Sequence, residues 1–216
     1  MKVLKLSLPL KGMNKPELIE ALQKKGFPKN ILDAFNEVDR SYYVPEDMQD
    51  ISYEDATIPV AEGQILSQPS TIAFMLELLD VKPGQKVLEI GCGTGYVLSL
   101  LTFLTQKGPV FGIEIKEKSV ALAKERLANL PNVNIFCKNG LHGLQENSPY
   151  DRILISAQCP DKESLLTLVP QLTDGGVIVG PVQETLIKIR KVTGSSQPEI
   201  QEFPGSTFVP LIGEGV

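Results

Sequence analysis

Val87-Leu88-Glu89-Ile90 is a short apolar run that leads straight into Gly91-Cys92-Gly93-Thr94-Gly95. Glycines at this spacing permit a tight turn and let a ligand approach the backbone at the carboxyl end of a strand. Glu114 follows roughly 20 residues on, near the end of the next apolar run, the separation at which a carboxylate accepts the hydroxyl protons of a nucleotide ribose. A strand–helix turn without a ligand also favours glycine, but it asks for no carboxylate at that distance. The spacing also separates two kinds of nucleotide. A dinucleotide fingerprint places its glycines at the first, third and sixth positions. Here Tyr96 holds the sixth position and the glycine comes one place earlier, at Gly95. A pyrophosphate on the helix N-terminus would be crowded by that side chain, which disfavours NAD and a dehydrogenase.

The chain offers few other reactive groups. His142 is its single histidine, set between Gly140 and Gly143, and is expected in a surface turn without a chemical role. Cys92, Cys137 and Cys159 are odd in number and widely spaced, so they form neither a disulfide framework nor a zinc pattern, and no metal site is expected. A reducing, cytoplasmic setting follows. Cys92 reads as a small residue fitting the glycine turn rather than a nucleophile. Lys plus Arg number 21 against 26 Asp plus Glu, a net charge of −5. There is no basic excess to hold a nucleic acid through its phosphates. No apolar run reaches the ~18 residues of a membrane helix. Met1 to Lys11 is broken by Lys5, Pro9 and Lys11, unlike a secretory signal.

The elements that must position these groups are legible. Helices are expected over Pro16–Lys25, ended by Gly26, and from Pro28 with Ile31, Leu32, Phe35 and Val38 on one stripe. Asp39–Pro69 is irregular and rich in turn-formers, yet Tyr42, Tyr43, Ile51, Tyr53 and Ile58 make it too apolar to be disordered. Pro69 opens a helix through Leu79. Strands are then expected at Lys86–Ile90, Val110–Ile115, Val133–Cys137 and Arg152–Ala157, with helices through about Leu104, over Glu117–Leu130 and over Asp161–Leu172. Val177–Val182 and Leu186–Val192 form a hairpin, and a last strand lies near Thr207–Leu211. Strand–helix alternation implies a parallel sheet covered on both faces. The final strands lack intervening helices, so that edge is antiparallel. With 216 residues, one domain is expected: a helical and substrate-loop part over 1–80 and a cofactor-binding core with C-terminal strands over 81–216.

The G-x-G-x-G arrangement led by Glu89 resembles that of methyltransferases using S-adenosyl-L-methionine (AdoMet). Three further segments narrow the resemblance. Gly63-Gln64-Ile65-Leu66-Ser67-Gln68-Pro69, with Pro59-Val60 upstream, resembles the substrate loop of the protein-L-isoaspartate O-methyltransferases. Arg40-Ser41-Tyr42-Tyr43-Val44-Pro45 is similar to that family's R-x-x-[FY]-V-P signature, and Phe208-Val209-Pro210-Leu211 to its F-V-P-L strand. Pro149 to Ile153 fits its fourth strand. The likeness runs through nearly the whole chain in order, and it implies an α/β Rossmann-like methyltransferase with N-terminal helices. It implies Ser67 as the catalytic-site residue and Gln64, Ile65, Leu66 and Ser67 against the methionine end of AdoMet. It further implies Glu89, Gly91, Cys92, Gly93 and Gly95 in the cofactor loop, Glu114 and Ile115 at ribose and adenine, and Asn139 and Gly140 in a turn at adenine. Ile65 and Ser67 would also meet substrate. Three positions depart: Ile65 stands where the family has Thr, Asn139 where it has Asp, and Gln183 where it has Gly.

The chemistry suits so plain a residue set. Methyl transfer from a sulfonium needs chiefly an aligned nucleophile. An isoaspartyl α-carboxylate, which in a simple peptide titrates near pH ~3.5, is ionised at neutral pH and needs no general base. Ser67 would donate a hydrogen bond that positions it; the structural alternative is a helix N-cap ahead of Pro69. Val209 and Pro210 offer a strand edge that can pair with an extended peptide. Arg40 could meet a substrate carboxylate or pair with Asp39, Asp47 or Asp50. The expected function is AdoMet-dependent carboxyl methylation of isoaspartyl peptides by a cytoplasmic monomer with no nucleic-acid or membrane partner. Ile65 motivates a different carboxylate substrate as the alternative, and Asn139 with Gln183 an AdoMet-binding module of weakened activity.

Overall fold

The computed structural model describes residues 12–60 and 63–205. Two helices come first, α1 (Lys15–Lys24) and α2 (Lys29–Glu37). A reciprocal capping box starts α1: Asn14 accepts the Glu17 amide at 3.0 Å, and Glu17 Oε2 accepts the Asn14 amide at 2.8 Å. Gly26, at φ 89°, ends it. The irregular stretch then resolves into 3₁₀ turns over Arg40–Tyr43 and Glu46–Ile51, and a small antiparallel pair, β1 (Ile58–Pro59) with β2 (Ile65–Leu66). Helix α3 (Pro69–Leu79) has proline at its start and a left-handed Asp80 at its end.

The core then alternates: β3 (Val87–Ile90), α4 (Tyr96–Thr105), β4 (Val110–Glu114), α5 (Glu117–Arg126), β5 (Val133–Cys137), β6 (Tyr150–Ile155), α6 (Lys162–Leu166), β7 (Leu172–Val182), β8 (Thr185–Arg190) and β9 (Glu199–Pro204). The sheet order is β5-β4-β3-β6-β7-β8-β9. Strands β5 to β7 in that order are parallel, and β8 and β9 close the edge antiparallel. Every residue of β3 and β4 is buried, as strands covered on both faces require. The chain moves outward from β3 to β5 and then crosses back to β6 on the other side of β3. The strand order therefore reverses between β3 and β6, the place where α/β sheets open a crevice for ligands.

Some boundaries differ from the sequence reading. The helix expected over Asp161–Leu172 is regular only to Leu166; a 3₁₀ turn at Val169–Gln171 follows, because Pro170 cannot continue an α-helical ladder. Helix α5 ends at Arg126, short of Leu130, and β6 runs from Tyr150 to Ile155 rather than from Arg152 to Ala157. Strand β7 begins at Leu172, ahead of the glycine pair Gly175-Gly176, and its register with β6 shifts between Tyr150 and Arg152. Strand β9 was not expected. The strand expected near Thr207–Leu211, with Val209 and Pro210, lies outside the described residues. At the β7–β8 turn Gln183 takes φ 53°, a left-handed conformation costing a non-glycine residue about 1–2 kcal/mol. That is the physical content of the glycine expected there from the resemblance.

Candidate functional site

The carboxyl ends of β3, β4 and β6 open into a cleft of about 1120 Å³, counted with its mouth. Its floor is the glycine loop. The amides of Gly91 and Cys92 both donate to Ile113 O, at 2.8 and 3.0 Å, which folds the loop back over the end of β4. Gly91, Gly93 and Gly95 all have left-handed φ values, 79°, 51° and 92°, which is why three glycines are needed in five residues. Gly91, Cys92 and Gly93 line the cleft. Gly95 does not. A Cβ there would lie 2.9 Å from Leu127 Cδ1 and 3.3 Å from Ala123 Cβ, so this glycine lets α4 begin against α5. Its place is in packing, not at the ligand face.

Two buried carboxyls flank the loop. Glu114, 4 % exposed, accepts the Ile115 and Lys116 amides on Oε1 at 2.8 and 2.9 Å, and the Gly93 amide on Oε2 at 3.0 Å. It pins the glycine loop to the end of β4. Glu89, 1 % exposed, accepts the Ser156 hydroxyl on Oε1 at 2.6 Å, while Oε2 is buried without a partner. Burial raises the Glu89 pKa to about 8, against the Ser156 hydrogen bond and with the Glu114 charge adding to the rise. Burial also pushes the Cys92 thiol well above the usual cysteine range, consistent with a packing residue and not a nucleophile.

The roof is the segment from Gly63 to Ser67, all of which line the cleft. Gln64 Oε1 accepts from Ser119 Oγ at 2.6 Å, which ties the roof to α5 across the cleft. Ile65 is 44 % exposed at the rim. Ser67 is half-buried, and its hydroxyl has no hydrogen-bond partner among the described residues. It does not cap α3: Gln68 holds the N-cap position, and Asp55 Oδ1 takes the Ser70 amide at 2.8 Å.

Arg40 anchors the roof from beneath. It is 1 % exposed, and none of Asp39, Asp47 or Asp50 is its partner. Its Nε donates to Ser52 O at 2.8 Å, and its Nη2 to Ser67 O at 2.9 Å and Ala56 O at 3.5 Å. The guanidinium lies 5.2 Å from the Tyr96 ring centroid. Tyr96 itself is 1 % exposed among Phe35, Tyr43 and Arg40 at the cleft wall.

The turn after β5 divides its expected roles. Gly140 lines the cleft, and a Cβ there would lie 2.3 Å from Ile90 Cγ2, so only glycine fits. Asn139 is off the lining, and its Oδ1 accepts the Leu141 amide at 3.0 Å. The oxygen expected to face a base closes the turn instead. His142 is exposed and away from the cleft. The sequence reading missed Ile72 and Met75 from α3, Lys116, and Ser156-Ala157 at the end of β6, all on the cleft wall, where Lys138 of the expected adenine turn also lies. The sheet-reversal rule could have found the last pair, since β6 borders β3 at the switch point.

The sequence of residues 13–215 matches the family described as protein-L-isoaspartate(D-aspartate) O-methyltransferase. The chain belongs to this family. A protein-L-isoaspartate O-methyltransferase of Thermosipho melanesiensis is 34% identical over 202 residues, covering 90% of this chain and 100% of the relative. One from Dictyoglomus turgidum is 38% identical over 204 residues, covering 91% and 90%. Among solved structures, a protein-L-isoaspartate O-methyltransferase superposes with a TM-score of 0.80 at 27% identity, over 93% of this chain and 66% of that one. A Plasmodium falciparum protein named for the same activity, solved with S-adenosyl-L-homocysteine, shares the fold at a TM-score of 0.81 and 24% identity. This chain places the glycine loop and the Gly63–Ser67 roof on opposite walls of one cleft.

Proposed function

We infer that this protein is an AdoMet-dependent carboxyl methyltransferase acting on L-isoaspartyl residues of damaged proteins and peptides. One observation carries the reading: a cleft at the sheet's switch point, roofed by the loop that bears Ser67, in a chain of this family. The residues present fit AdoMet. Glu114 is a fixed carboxylate for ribose hydroxyls, Gly91 to Gly93 bring backbone close to the ligand, and Ile90, Ile113 and Ile115 give an apolar wall for a base. When bound, AdoMet supplies a methyl group on a sulfonium whose departure leaves a neutral thioether. The chain's task is then placement. Ser67 lines the cleft with no partner for its hydroxyl among the described residues, which leaves it to donate to the acceptor carboxylate. Arg40 and Gln64 hold the roof at a fixed height above the floor. No basic side chain has to remove a proton, because the acceptor is already an anion.

The single-unit organisation is likewise a proposal, with residues up to about 80 as roof and helical support and the rest as cofactor core. We propose further that the protein works as a monomer in the cytoplasm and that nucleic acid is not a partner. The net charge of −5 and the free thiols support that setting. Among the described residues no helix is long and apolar enough to cross a membrane. The deciding test is incubation with labelled AdoMet and paired isoaspartyl and aspartyl peptides. Base-labile label in the isoaspartyl peptide alone is expected, and label in neither peptide or in both would overturn the reading.

Two variants probe the site. Ser67→Ala should slow methylation by about tenfold, the loss of one positioned hydrogen bond of ~1.4 kcal/mol, with AdoMet affinity nearly unchanged. A variant as fast as the parent would reduce Ser67 to a wall residue. Asn139→Asp should move AdoMet affinity by less than about twofold, since Asp closes the same turn. Several-fold tightening, by titration of both proteins, would instead place residue 139 on the adenine amino group.

A further inference from the structure

Glu89 is a buried carboxyl on the cleft wall that, among the described residues, has one oxygen unpartnered and no cation bonded to it. Leaving an ionised carboxylate so would cost far more than leaving a neutral one. Among the described residues, the elements that share the cleft wall with it bring little positive charge. From β4 comes Glu114, a second acid, and from the glycine loop the Cys92 thiol, which burial keeps protonated. Strand β6 and its end contribute Leu154, Ser156 and Ala157, and α3 contributes only Ile72 and Met75. Helix α4 brings Val97 and Tyr96, whose phenol burial also pushes up. The cations that line the cleft, Lys116 and Lys138, follow β4 and β5; Lys138 pairs with Glu146, and neither lysine is hydrogen-bonded to Glu89. Among the described residues no cation is bonded to this acid.

We propose that Glu89 stays protonated in the ligand-free protein and gives up its proton as the cationic end of AdoMet enters the cleft, so that cofactor binding and proton release are one coupled step. The inference rests on the AdoMet reading above. The balance is simple: the O–H bond of the Glu89 carboxyl breaks, its electron pair stays on oxygen, and the proton passes to solvent. The new carboxylate then faces a ligand that carries positive charge. The coupling makes affinity depend on pH. Below pH 8 the free protein holds a proton that the complex has lost, so affinity should rise by about tenfold per pH unit between pH 6.5 and 7.5 and level off above pH 8.

Titration calorimetry in two buffers of different ionisation enthalpy counts the protons directly. At pH 7 the parent protein should release close to one proton on binding AdoMet. It should release none on binding 5′-methylthioadenosine, which has the nucleoside but no positive charge. Glu89→Gln keeps the shape of the neutral acid and should bind AdoMet with no proton released and a flat pH profile. Proton release that persists in Glu89→Gln, or AdoMet binding by the parent without release, overturns the proposal. The absence of any AdoMet binding would instead overturn the functional reading beneath it. Thermal unfolding without ligand gives an independent check. A folded-state pKa above the unfolded one means stability falls as pH rises from about 4.5 to 8. Glu89→Gln should fold and should lose that component of the slope; an unchanged slope also counts against the proposal.

Discussion

Replacing Arg40 with alanine should destabilise the protein by about 3–5 kcal/mol, the range for truncating a large, fully buried side chain. Three losses combine. A cavity opens against the Tyr96 ring, the carbonyls of Ser52 and Ser67 lose charge-assisted donors, and the roof loses its link to the 3₁₀ turn below. One gain opposes them, because a guanidinium whose Nη1 has no partner no longer has to be buried. For a chain of this size the shift in midpoint temperature is about 6–20 °C. Arg40→Lys should recover little, since an ammonium on a flexible stem cannot reproduce a planar fork aimed at several carbonyls. Methylation should fall more than the folded fraction does, because Ser67 hangs from the carbonyl that Arg40 holds. A loss below about 1 kcal/mol in denaturant unfolding would show that the roof is held by its other contacts.

Arg40 also marks where sequence reasoning stops. The glycine loop, Glu114, the start and end of α3 and the five parallel strands are legible because each depends on local signals: apolar runs, proline at a helix start, glycine where φ must be positive. Arg40 depends on carbonyls 12 and 27 positions away, which carry no residue-type signature, so acidic neighbours looked like the natural partners. Strand β9 was hidden for another reason. Among the described residues it is the last strand of the sheet, five of its six residues are exposed, and Phe203, packed on Phe74, is its one partly buried residue. An edge strand need not alternate strongly in polarity when almost nothing lies over it. Asn139 was legible as a turn residue from the Asn-Gly pair alone, yet the resemblance drew it toward the base. Its hydrogen bond to the Leu141 amide gives the oxygen to the turn.

Replacing Glu114 with alanine should weaken AdoMet binding by about 1.5–3 kcal/mol, the range for hydrogen bonds to a charged group, or roughly 10- to 150-fold. On the proposed reading the carboxylate has two tasks. Its oxygens already accept three backbone amides, from Gly93, Ile115 and Lys116, and of about four lone-pair sites the one that remains, on Oε2, is available to a ribose hydroxyl. Alanine removes the ribose acceptor and also releases Gly93 from the end of β4, so the floor loses its fixed shape before any ligand arrives. Glu114→Gln should do nearly as badly despite its size, because an amide nitrogen would then face an N–H donor where the carboxylate accepts one. Calorimetry on the three proteins checks this, and an alanine variant within about twofold of the parent would remove Glu114 from the cofactor site. The kinetic pattern separates Glu114 from Ser67. A ribose contact is the same before and during methyl transfer, so its loss should raise KM for AdoMet and leave kcat close to the parent value. On the proposed reading Ser67 orients the acceptor carboxylate toward the methyl group, so its loss should appear in kcat. If Glu114→Ala instead lowers kcat at saturating AdoMet, the carboxylate's grip on the Gly93 amide is holding the geometry of the reacting groups, and the glycine loop is part of the alignment that the reaction depends on.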